Sequence, residues 1–246
     1  MNGLLSDEAY LAQRSAPEPG EALYLHLSDL ASAIRGAARA EPGDRVLDFG
    51  CGGSPYRAFF GGARYDRADF EAAPGIEFAI GADGTIGAES DDYDIVLSTQ
   101  VLEHVDDAPR YLAECRRVLR GGGTLLLSTH GTFEDHPCPR DFRRWTSEGL
   151  CRDLAEAGFE VQAVRKLTTN GRALAFLLRT RAGSLAFRTS PSFGWLFSVV
   201  AFILRRFARP FDRWCDRHLA GCRVVDSEIP SHGLYIGLLA VAVKRP

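Results

Sequence analysis

A glycine-rich turn is the first segment whose residue types suggest chemistry. Asp48, Gly50 and Gly52 lie within the run Val-Leu-Asp-Phe-Gly-Cys-Gly-Gly at residues 46–53. Glycines are needed where a backbone turns sharply and approaches a ligand without Cβ atoms in the way. Many nucleotide-binding folds contain such a turn, and some similar turns bind nothing. The turn alone therefore predicts only a candidate ligand site.

A carboxylate follows at the spacing that a nucleoside site would need. Asp69 lies 19 residues beyond Gly50, at the end of a second predicted strand. An acidic residue about 20 residues beyond the turn accepts hydrogen bonds from ribose hydroxyls and repels a 2′-phosphate. This spacing favours an unphosphorylated adenosine ligand, and the alternative is that Asp69 is only a solvated strand end.

The segment from His130 to Trp145 is the second concentration of reactive side chains. It holds two histidines, three carboxylates, three arginines and a tryptophan. A long polar connection after a strand is typical of a functional loop.

The elements that must position these residues alternate between strand and helix. The patterns predict strands at Arg45–Phe49, Arg64–Phe70, Tyr93–Thr99, Thr124–Thr129 and Phe159–Leu167, and helices at Glu21–Ala40, Pro109–Leu119 and Thr146–Ala157, with Thr146 as N-cap and Gly121–Gly123 ending the second helix. This alternation indicates a parallel sheet covered on both faces, with ligands outside the carboxyl ends of its strands.

Three blocks carry a resemblance to a known family. They are Val-Leu-Asp-Phe-Gly-Cys-Gly (46–52), Tyr-Asp-Ile-Val-Leu-Ser-Thr-Gln-Val-Leu-Glu-His-Val (93–105) and Leu-Arg-Gly-Gly-Gly-Thr-Leu-Leu-Leu-Ser-Thr (119–129). In this order they resemble a class I S-adenosylmethionine (SAM)-dependent methyltransferase of the UbiE/UbiG-like, type 11 kind. The resemblance extends from Arg45 to Leu167.

The resemblance implies an α/β, Rossmann-like fold. Its seven-stranded, mostly parallel sheet has helices on both faces and an antiparallel last strand, for which Leu234–Lys244 is suitable. We expect one methyltransferase domain over 1–246. It comprises an N-terminal helical cap (1–44), a SAM-binding core (45–169), a helical insertion (170–232) and the final strand (233–246).

The resemblance also implies roles for single residues, with SAM as the cofactor. Asp48, Gly50 and Gly52 would meet its methionine part, with Cys51 a small buried member of the same turn. Asp69 would bind the ribose and Asp83 the adenine amino group. Ser98, Thr99 and Gln100 would line the cofactor.

The histidines of the long loop are the candidate catalytic groups. Methylation of a hydroxyl requires loss of its proton, and a neutral histidine is a suitable general base. We expect His136, and after it His130, to be that base, with Asp141 orienting one of them. His104, Arg144 and Trp145 are the candidate substrate contacts.

Structural roles remain open for the same residues. His104 could pack or cap a helix start, and Asp141, Arg143 and Arg144 could form a salt-bridge lattice that holds the loop shut. A metal ion held by His136, Glu134, Asp135 or Asp141 has no standard ligand spacing, so no metal is expected.

Composition indicates an ordinary globular chain in a reducing compartment. Of its 246 residues 46% are apolar, the net charge is −3, and the six cysteines form no CxxC pair. No signal peptide or spanning helix is visible, so a cytoplasmic location is expected. Nucleic acid is not an expected partner, because the net charge is not basic and no Asn/Asp-Pro-Pro-Tyr/Phe-like motif is present.

The insertion is basic and amphipathic. From Arg172 to Arg217 there are nine arginines and two aspartates, a local charge of +7. An apolar stripe at spacings of three and four comprises Leu196, Val200, Ile203, Phe207, Phe211 and Trp214. This pattern predicts a lid or homodimer face, because the apolar positions are numerous enough to be core. The alternative is peripheral membrane contact through 193–217.

Three functions fit these patterns. The first is SAM-dependent O-methylation of a sugar, glycan or small natural product by an enzyme. The second is C-methylation of a quinone-like lipid, and the third is a SAM-binding regulatory module without turnover.

Overall fold

A single eight-stranded sheet organises the computed structural model, which describes residues 7–70, 74–138, 140–185, 191–228 and 231–245. Its strands are β1 (Arg45–Phe49), β2 (Arg64–Asp69), β3 (Phe78–Ala79), β4 (Tyr93–Thr99), β5 (Leu119–His130), β6 (Phe159–Thr169), β7 (Val224–Asp226) and β8 (Tyr235–Lys244).

The strands lie in the order β3-β2-β1-β4-β5-β8-β6-β7. Strands β1 to β5 pair in parallel, and β8 runs antiparallel between β5 and β6. The predicted mostly parallel sheet with an antiparallel last strand is confirmed. The eighth strand is β7, a short edge segment of the insertion that pairs antiparallel with β6.

Seven α-helices accompany the sheet in the described residues. They are α1 (Asp7–Ser15), α2 (Tyr24–Ala37), α3 (Ala108–Val118), α4 (Ser147–Glu156), α5 (Asn170–Leu185), α6 (Pro191–Arg206) and α7 (Ala208–His218). The predicted cap of α4 is confirmed, because the Thr146 side chain accepts a hydrogen bond from the Gly149 N–H.

The role predicted for the triple glycine is wrong. Helix α3 already ends at Val118, and Gly121–Gly123 lie inside β5. The pairing of β5 with β4 shifts register there, between Tyr93 and Ile95. Gly122 has φ +78°, and a Cβ on Gly123 would lie 2.9 Å from the Arg120 carbonyl oxygen. The glycines therefore serve an irregular strand start and not a helix end.

Both faces of the sheet are buried, and β1 shows why. Val46 faces one apolar cluster with Leu30 and Ile34 of α2, whereas Leu47 and Phe49 face another, which includes residues of α3 and α4. All three β1 side chains are fully buried. A strand buried on both faces is a continuous apolar run, as the Val-Leu pattern predicted.

The stripe predicted for the insertion does not form one buried face. Of its six members, Val200 and Phe211 are partly buried, while the others are 47% to 53% exposed, namely Leu196, Ile203, Phe207 and Trp214. The buried positions are instead Ala201, Leu204, Ala208 and Cys215. Within the residues described, no helix has the length and apolar character to cross a membrane.

Candidate active site

The glycine turn stands at the carboxyl end of β1, in the middle of the sheet. The Gly50 and Cys51 N–H groups both donate to the Ala68 carbonyl oxygen of β2, at 2.9 and 3.1 Å. Gly50 has φ +80°, and a Cβ there would lie 2.6 Å from Val101 Cγ2. Only glycine allows both this conformation and this approach.

Helix α1 covers the outer side of the turn. A Cβ on Gly52 would lie 3.6 Å from the Tyr10 hydroxyl, and one on Gly53 would lie 3.1 Å from Leu11 Cδ2. The N-terminal helical cap therefore forms one wall of the candidate cofactor site.

Asp69 is held beside the turn, as its spacing predicts. Its Oδ2 accepts a hydrogen bond from the Gly52 N–H at 2.7 Å, and its Oδ1 accepts one from the Phe70 N–H at 2.7 Å. These bonds fix the carboxylate at the carboxyl ends of the neighbouring strands β1 and β2, which is where a ribose diol is bound in dinucleotide folds.

Asp48 is a buried carboxylate beneath the turn. It is 2% exposed, and its Oδ2 accepts a 2.7 Å hydrogen bond from the Tyr65 hydroxyl. Burial raises the pKa of Asp48 to about 6. Its geometry fits a residue that supports the turn from below.

Cys51 is not prepared for nucleophilic chemistry. Burial, and after it the charge of the neighbouring Asp48, raises the pKa of its thiol to about 12. A thiol with so high a pKa carries almost no thiolate near neutral pH. The expectation of a small buried residue agrees with this environment.

Asp83 lies on an exposed loop. Both its oxygens have protein partners: Oδ1 accepts from the Thr85 hydroxyl at 2.7 Å, and Oδ2 pairs with Arg110 at 2.7 Å. A contact with an adenine amino group would have to share these oxygens. The adenine role stays a prediction.

The end of β4 contributes three residues of different character. Ser98 is fully buried and accepts a hydrogen bond from the Tyr111 hydroxyl at 2.9 Å. Thr99 and Gln100 are half-buried. Gln100 has φ +56°, and its N–H donates to the Ser128 carbonyl oxygen at 3.0 Å. A non-glycine residue in the left-handed region is strained, and such strain is concentrated at functional sites.

Three histidines meet at the carboxyl ends of β4 and β5. The ring of His136 lies edge-on to those of His104 and His130, with centroids 4.8 Å apart in each pair. His130 also stacks on Phe133 at 4.1 Å. The fold thus brings His104, which follows β4, together with His130 and His136 of the long loop.

The three histidines have different partners. His130 is 4% exposed, and burial lowers its pKa well below the usual value. Burial also lowers the pKa of the half-buried His136, against the opposing charge of Asp141. His104 Nδ1 lies 2.6 Å from the Arg140 carbonyl oxygen, which ties it to the long loop.

Asp141 and Arg144 hold the long loop together. Arg144 donates to both Asp141 oxygens at 2.6 Å, and its Nε donates to the Phe133 carbonyl oxygen at 3.2 Å. Asp141 Oδ2 also accepts the His136 N–H at 2.8 Å and lies 3.2 Å from His136 Nδ1. The Arg144 guanidinium holds the pKa of Asp141 far below its usual range. Asp141 thus both locks the loop and orients His136.

Two further members of the loop have structural partners. Arg143 donates to the Asp106 carbonyl oxygen at 3.0 Å. Trp145 packs in the core at 6% exposure, and its indole N–H donates to Asp153 of α4 at 2.9 Å. The indole therefore anchors α4, and the structure gives no support to a substrate role for Trp145.

Glu103 is a site residue that sequence reasoning missed. It is fully buried, its Oε2 accepts from the Thr129 hydroxyl at 2.8 Å, and its Oε1 lies 3.2 Å from His130 Nε2. Burial raises its pKa to about 7. Its position beside His104 is the only signal in the sequence, and it does not reveal burial.

The same cluster has the donor set of a metal site. Glu103, His130 and His136 each offer one ligand atom, and the three atoms lie within 4.8 Å of one another. Glu103 Oε1 and His130 Nδ1 have no hydrogen-bond partner among the residues described. The carboxylate and imidazoles are ligands that Zn²⁺ accepts.

Comparison with known proteins agrees with this architecture. A family model described as a methyltransferase domain matches residues 24–164, more than half of the chain. The chain therefore belongs to this methyltransferase family. The resemblance to class I SAM-dependent methyltransferases is confirmed, and SAM is the methyl donor of that class.

Individual relatives match over parts of the chain. A ubiquinone biosynthesis O-methyltransferase from Hahella chejuensis is 36% identical over 37% of this chain and 44% of its own. A probable S-adenosylmethionine-dependent methyltransferase from Mycolicibacterium smegmatis is 34% identical over 50% of this chain and 47% of its own. The chain spans about half the length of the curated relatives it matches.

A solved structure, the [4+2]-cyclase SpnF, has the same fold. It is 16% identical, with a TM-score of 0.57, and the match covers 97% of this chain and 91% of that one. At this identity the likeness concerns the fold alone.

Proposed function

We propose that this protein is an enzyme that transfers the methyl group of SAM to a hydroxyl of a sugar, glycan or small natural product. The observation that carries the proposal is the position of the histidine cluster. Asp48, Gly50, Gly52 and Asp69 offer a SAM site at the ends of β1 and β2. His104, His130 and His136 stand at the ends of the adjacent strands β4 and β5 on the same edge of the sheet.

His136 is the proposed general base. Its Nδ1 faces the Asp141 carboxylate at 3.2 Å, so Nδ1 carries the proton and Nε2 is free to accept one. The lowered pKa of His136 keeps it neutral near pH 7. The acceptor oxygen forms a bond to the methyl carbon, the carbon–sulfur bond of SAM breaks, and the hydroxyl proton passes to Nε2.

His130 is less suited to this task. It is almost fully buried, and its ring is covered by Phe133. We assign it to positioning His136, together with Glu103. His104 and Arg144 remain candidate contacts for the acceptor, since each borders the cluster and is partly exposed.

The test is labelled methyl transfer with a His136→Ala variant. The protein is incubated with methyl-labelled SAM and cell extract, and the methylated product is identified by mass. We expect His136→Ala to lower turnover about a hundredfold, the usual contribution of a general base, while the Kd for SAM stays unchanged. The matched control is Cys138→Ala, which replaces an exposed residue of the same loop.

The outcomes separate the proposed functions. Full activity of His136→Ala would remove His136 as base. A product methylated on carbon would favour the alternative hypothesis, C-methylation of a quinone-like lipid. SAM binding without any labelled product across acceptor pools would favour a regulatory module without turnover.

A second route for the same proton rests on the Glu103, His130 and His136 cluster. These residues fit a divalent ion, which would lower the pKa of an acceptor hydroxyl directly. The readout is Co²⁺ titration of the protein, followed by its visible absorption, with Glu103→Gln as the variant. Stoichiometric binding that Glu103→Gln abolishes would establish this site, and its absence would leave His136 as the base.

A further inference from the structure

Helices α6 and α7 expose large apolar side chains to solvent. The exposed fractions reach 70% for Trp195 and 65% for Phe202, and the other members are 47% to 53% exposed, namely Leu196, Ile203, Phe207 and Trp214. Scattered single apolar residues on a surface are ordinary. A concentration of six, five on two successive helices and Phe207 between the two, marks an interaction site.

The α6 side chains share one face. Residues 195, 196, 202 and 203 are separated by one, seven and eight positions, which places them on a single side of a helix. The opposite side carries Ala201 and Leu204, which pack against Ala182 of α5. The helix thus buries its smaller apolar residues in the protein and leaves its larger ones bare.

All exposed charge on this pair of helices is positive. The two acidic residues of α7 turn inward: Asp212 is fully buried against Arg179, and Asp216 pairs with the buried Arg172. Arg205, Arg206, Arg209 and Arg213 are exposed, and none forms an ion pair with another residue in the described part of the chain.

A cavity lies beside the apolar face. It has a volume of about 500 Å³ and is bordered by Arg205, Arg206 and Arg209 on one side and by the segment from Glu18 to Glu21 on the other. Three arginines and the two glutamates Glu18 and Glu21 border this cavity, which leaves a net charge of +1. The arginines supply the N–H donors that bind a phosphate group.

The positive charge of this surface favours an anionic membrane over a second copy of the chain as its partner. An isologous contact between two copies would bring the same basic patch of each copy against the other, where like charges repel. A membrane interface accepts tryptophan and phenylalanine at headgroup depth, and anionic headgroups attract the arginines. We propose that α6 and α7 form a docking surface for an anionic lipid membrane, with a headgroup phosphate held between Arg205, Arg206 and Arg209.

Vesicle co-sedimentation tests this docking surface, using phosphatidylcholine vesicles with and without phosphatidylglycerol. We expect binding only with phosphatidylglycerol, reduced by salt, and a blue shift of tryptophan emission as Trp195 and Trp214 leave water. Trp195→Ser/Phe202→Ser should weaken binding at least about tenfold. Arg205→Gln/Arg206→Gln/Arg209→Gln should weaken it about fivefold for each arginine removed.

Matched controls use exposed arginines outside α6 and α7. Arg120→Gln/Arg152→Gln removes two exposed arginines of β5 and α4 and should leave vesicle binding unchanged. No binding of the wild-type protein and no spectral shift would overturn the proposal. So would equal binding to both vesicle types, or a dimer in solution that Trp195→Ser/Phe202→Ser dissolves. Methyl transfer is measured separately, so failure of either proposal leaves the other standing.

Discussion

At the scale of single residues, the candidate cofactor site depends on one carboxylate and its backbone partner. Asp69 accepts the Gly52 N–H, and this bond joins the acidic strand end to the glycine turn. The sequence spacing predicted that the two would be neighbours. The hydrogen bond gives the carboxylate a structural role in the turn beside its predicted ribose role.

Replacement of Asp69 should weaken SAM binding. In Asp69→Asn the charge is lost and the hydrogen bonds to a ribose diol weaken, so we expect the Kd for SAM to rise about 10- to 100-fold. Calorimetry measures this directly. Asp226→Asn, an exposed change on β7, is the control, and unchanged affinity of Asp69→Asn would rule out the ribose role.

The long loop shows how one residue can serve structure and chemistry together. Asp141 locks Arg144 and orients His136 through different contacts of the same carboxylate. The two alternatives for this segment, a catalytic pair and a structural lattice, are therefore compatible. Arg143 stands outside the lattice, because its partner is a carbonyl oxygen.

At the scale of elements, the insertion is joined to the N-terminal helical cap by buried charge. Asp29 of α2 accepts from Arg172 of α5 at 2.8 Å and from Arg223 at 2.7 Å, and the Thr168 hydroxyl donates to it at 2.9 Å. Asp29 and Arg172 are both fully buried. These contacts fix α5 against α2. Helix α6 of the docking surface packs in turn on Ala182 of α5.

Removal of Asp29 should be strongly destabilising. Asp29→Ala removes the carboxylate that pairs with the buried Arg172. We therefore expect the free energy of unfolding to fall by about 3–5 kcal/mol. Urea unfolding gives the value. Asp226→Ala breaks the exposed pair with Arg165 and should change the unfolding midpoint very little. Similar losses of unfolding free energy in the two variants would contradict the stabilising role of the buried Asp29–Arg172 pair.

At the scale of the whole molecule, the sign and the burial of the charged residues differ from one region to another. The overall charge is −3, yet the exposed groups of α6 and α7 are basic, while carboxylates are buried under the candidate active site. Burial raises the pKa of Glu103 from 4.5 to about 7 and that of Asp48 from 3.8 to about 6. Both groups therefore bind protons more tightly in the folded state than in the unfolded state.

This difference gives the fold a pH dependence of known sign. A carboxyl whose pKa is raised by folding contributes stability below its unfolded pKa, and that contribution is lost as pH rises through its folded pKa. For Glu103 the loss falls between about pH 4.5 and about pH 7 and amounts to at most about 3 kcal/mol. Glu103→Gln should remove this part of the slope.

Urea midpoints at pH 5 and pH 8 measure the effect. The matched control is Glu156→Gln, whose side chain is 72% exposed at the end of α4. An equal pH slope in the wild-type protein and in Glu103→Gln would show that Glu103 is already ionised in the folded state.

The sequence alone determined the class of the fold and predicted the edge of the sheet at which the candidate cofactor site lies. Apolar runs such as Val46-Leu47 and the strand Tyr93–Thr99 are local patterns, and the glycine turn needs only its own φ angles and a nearby strand. The carboxyl ends of parallel strands then bring such turns to one edge of the sheet. For these reasons β1, β4 and β8 were located within a residue or so.

The tertiary structure alone decided burial and partnership. Periodicity in α6 and α7 could not tell which apolar positions face the core, because both sides of those helices carry them. Nor could it show that Glu103 is buried, that Trp145 belongs to the core, or that His104, His130 and His136 meet. Each of these depends on contacts between segments far apart in the chain, and the desolvation and packing that decide them arise only when the chain is folded.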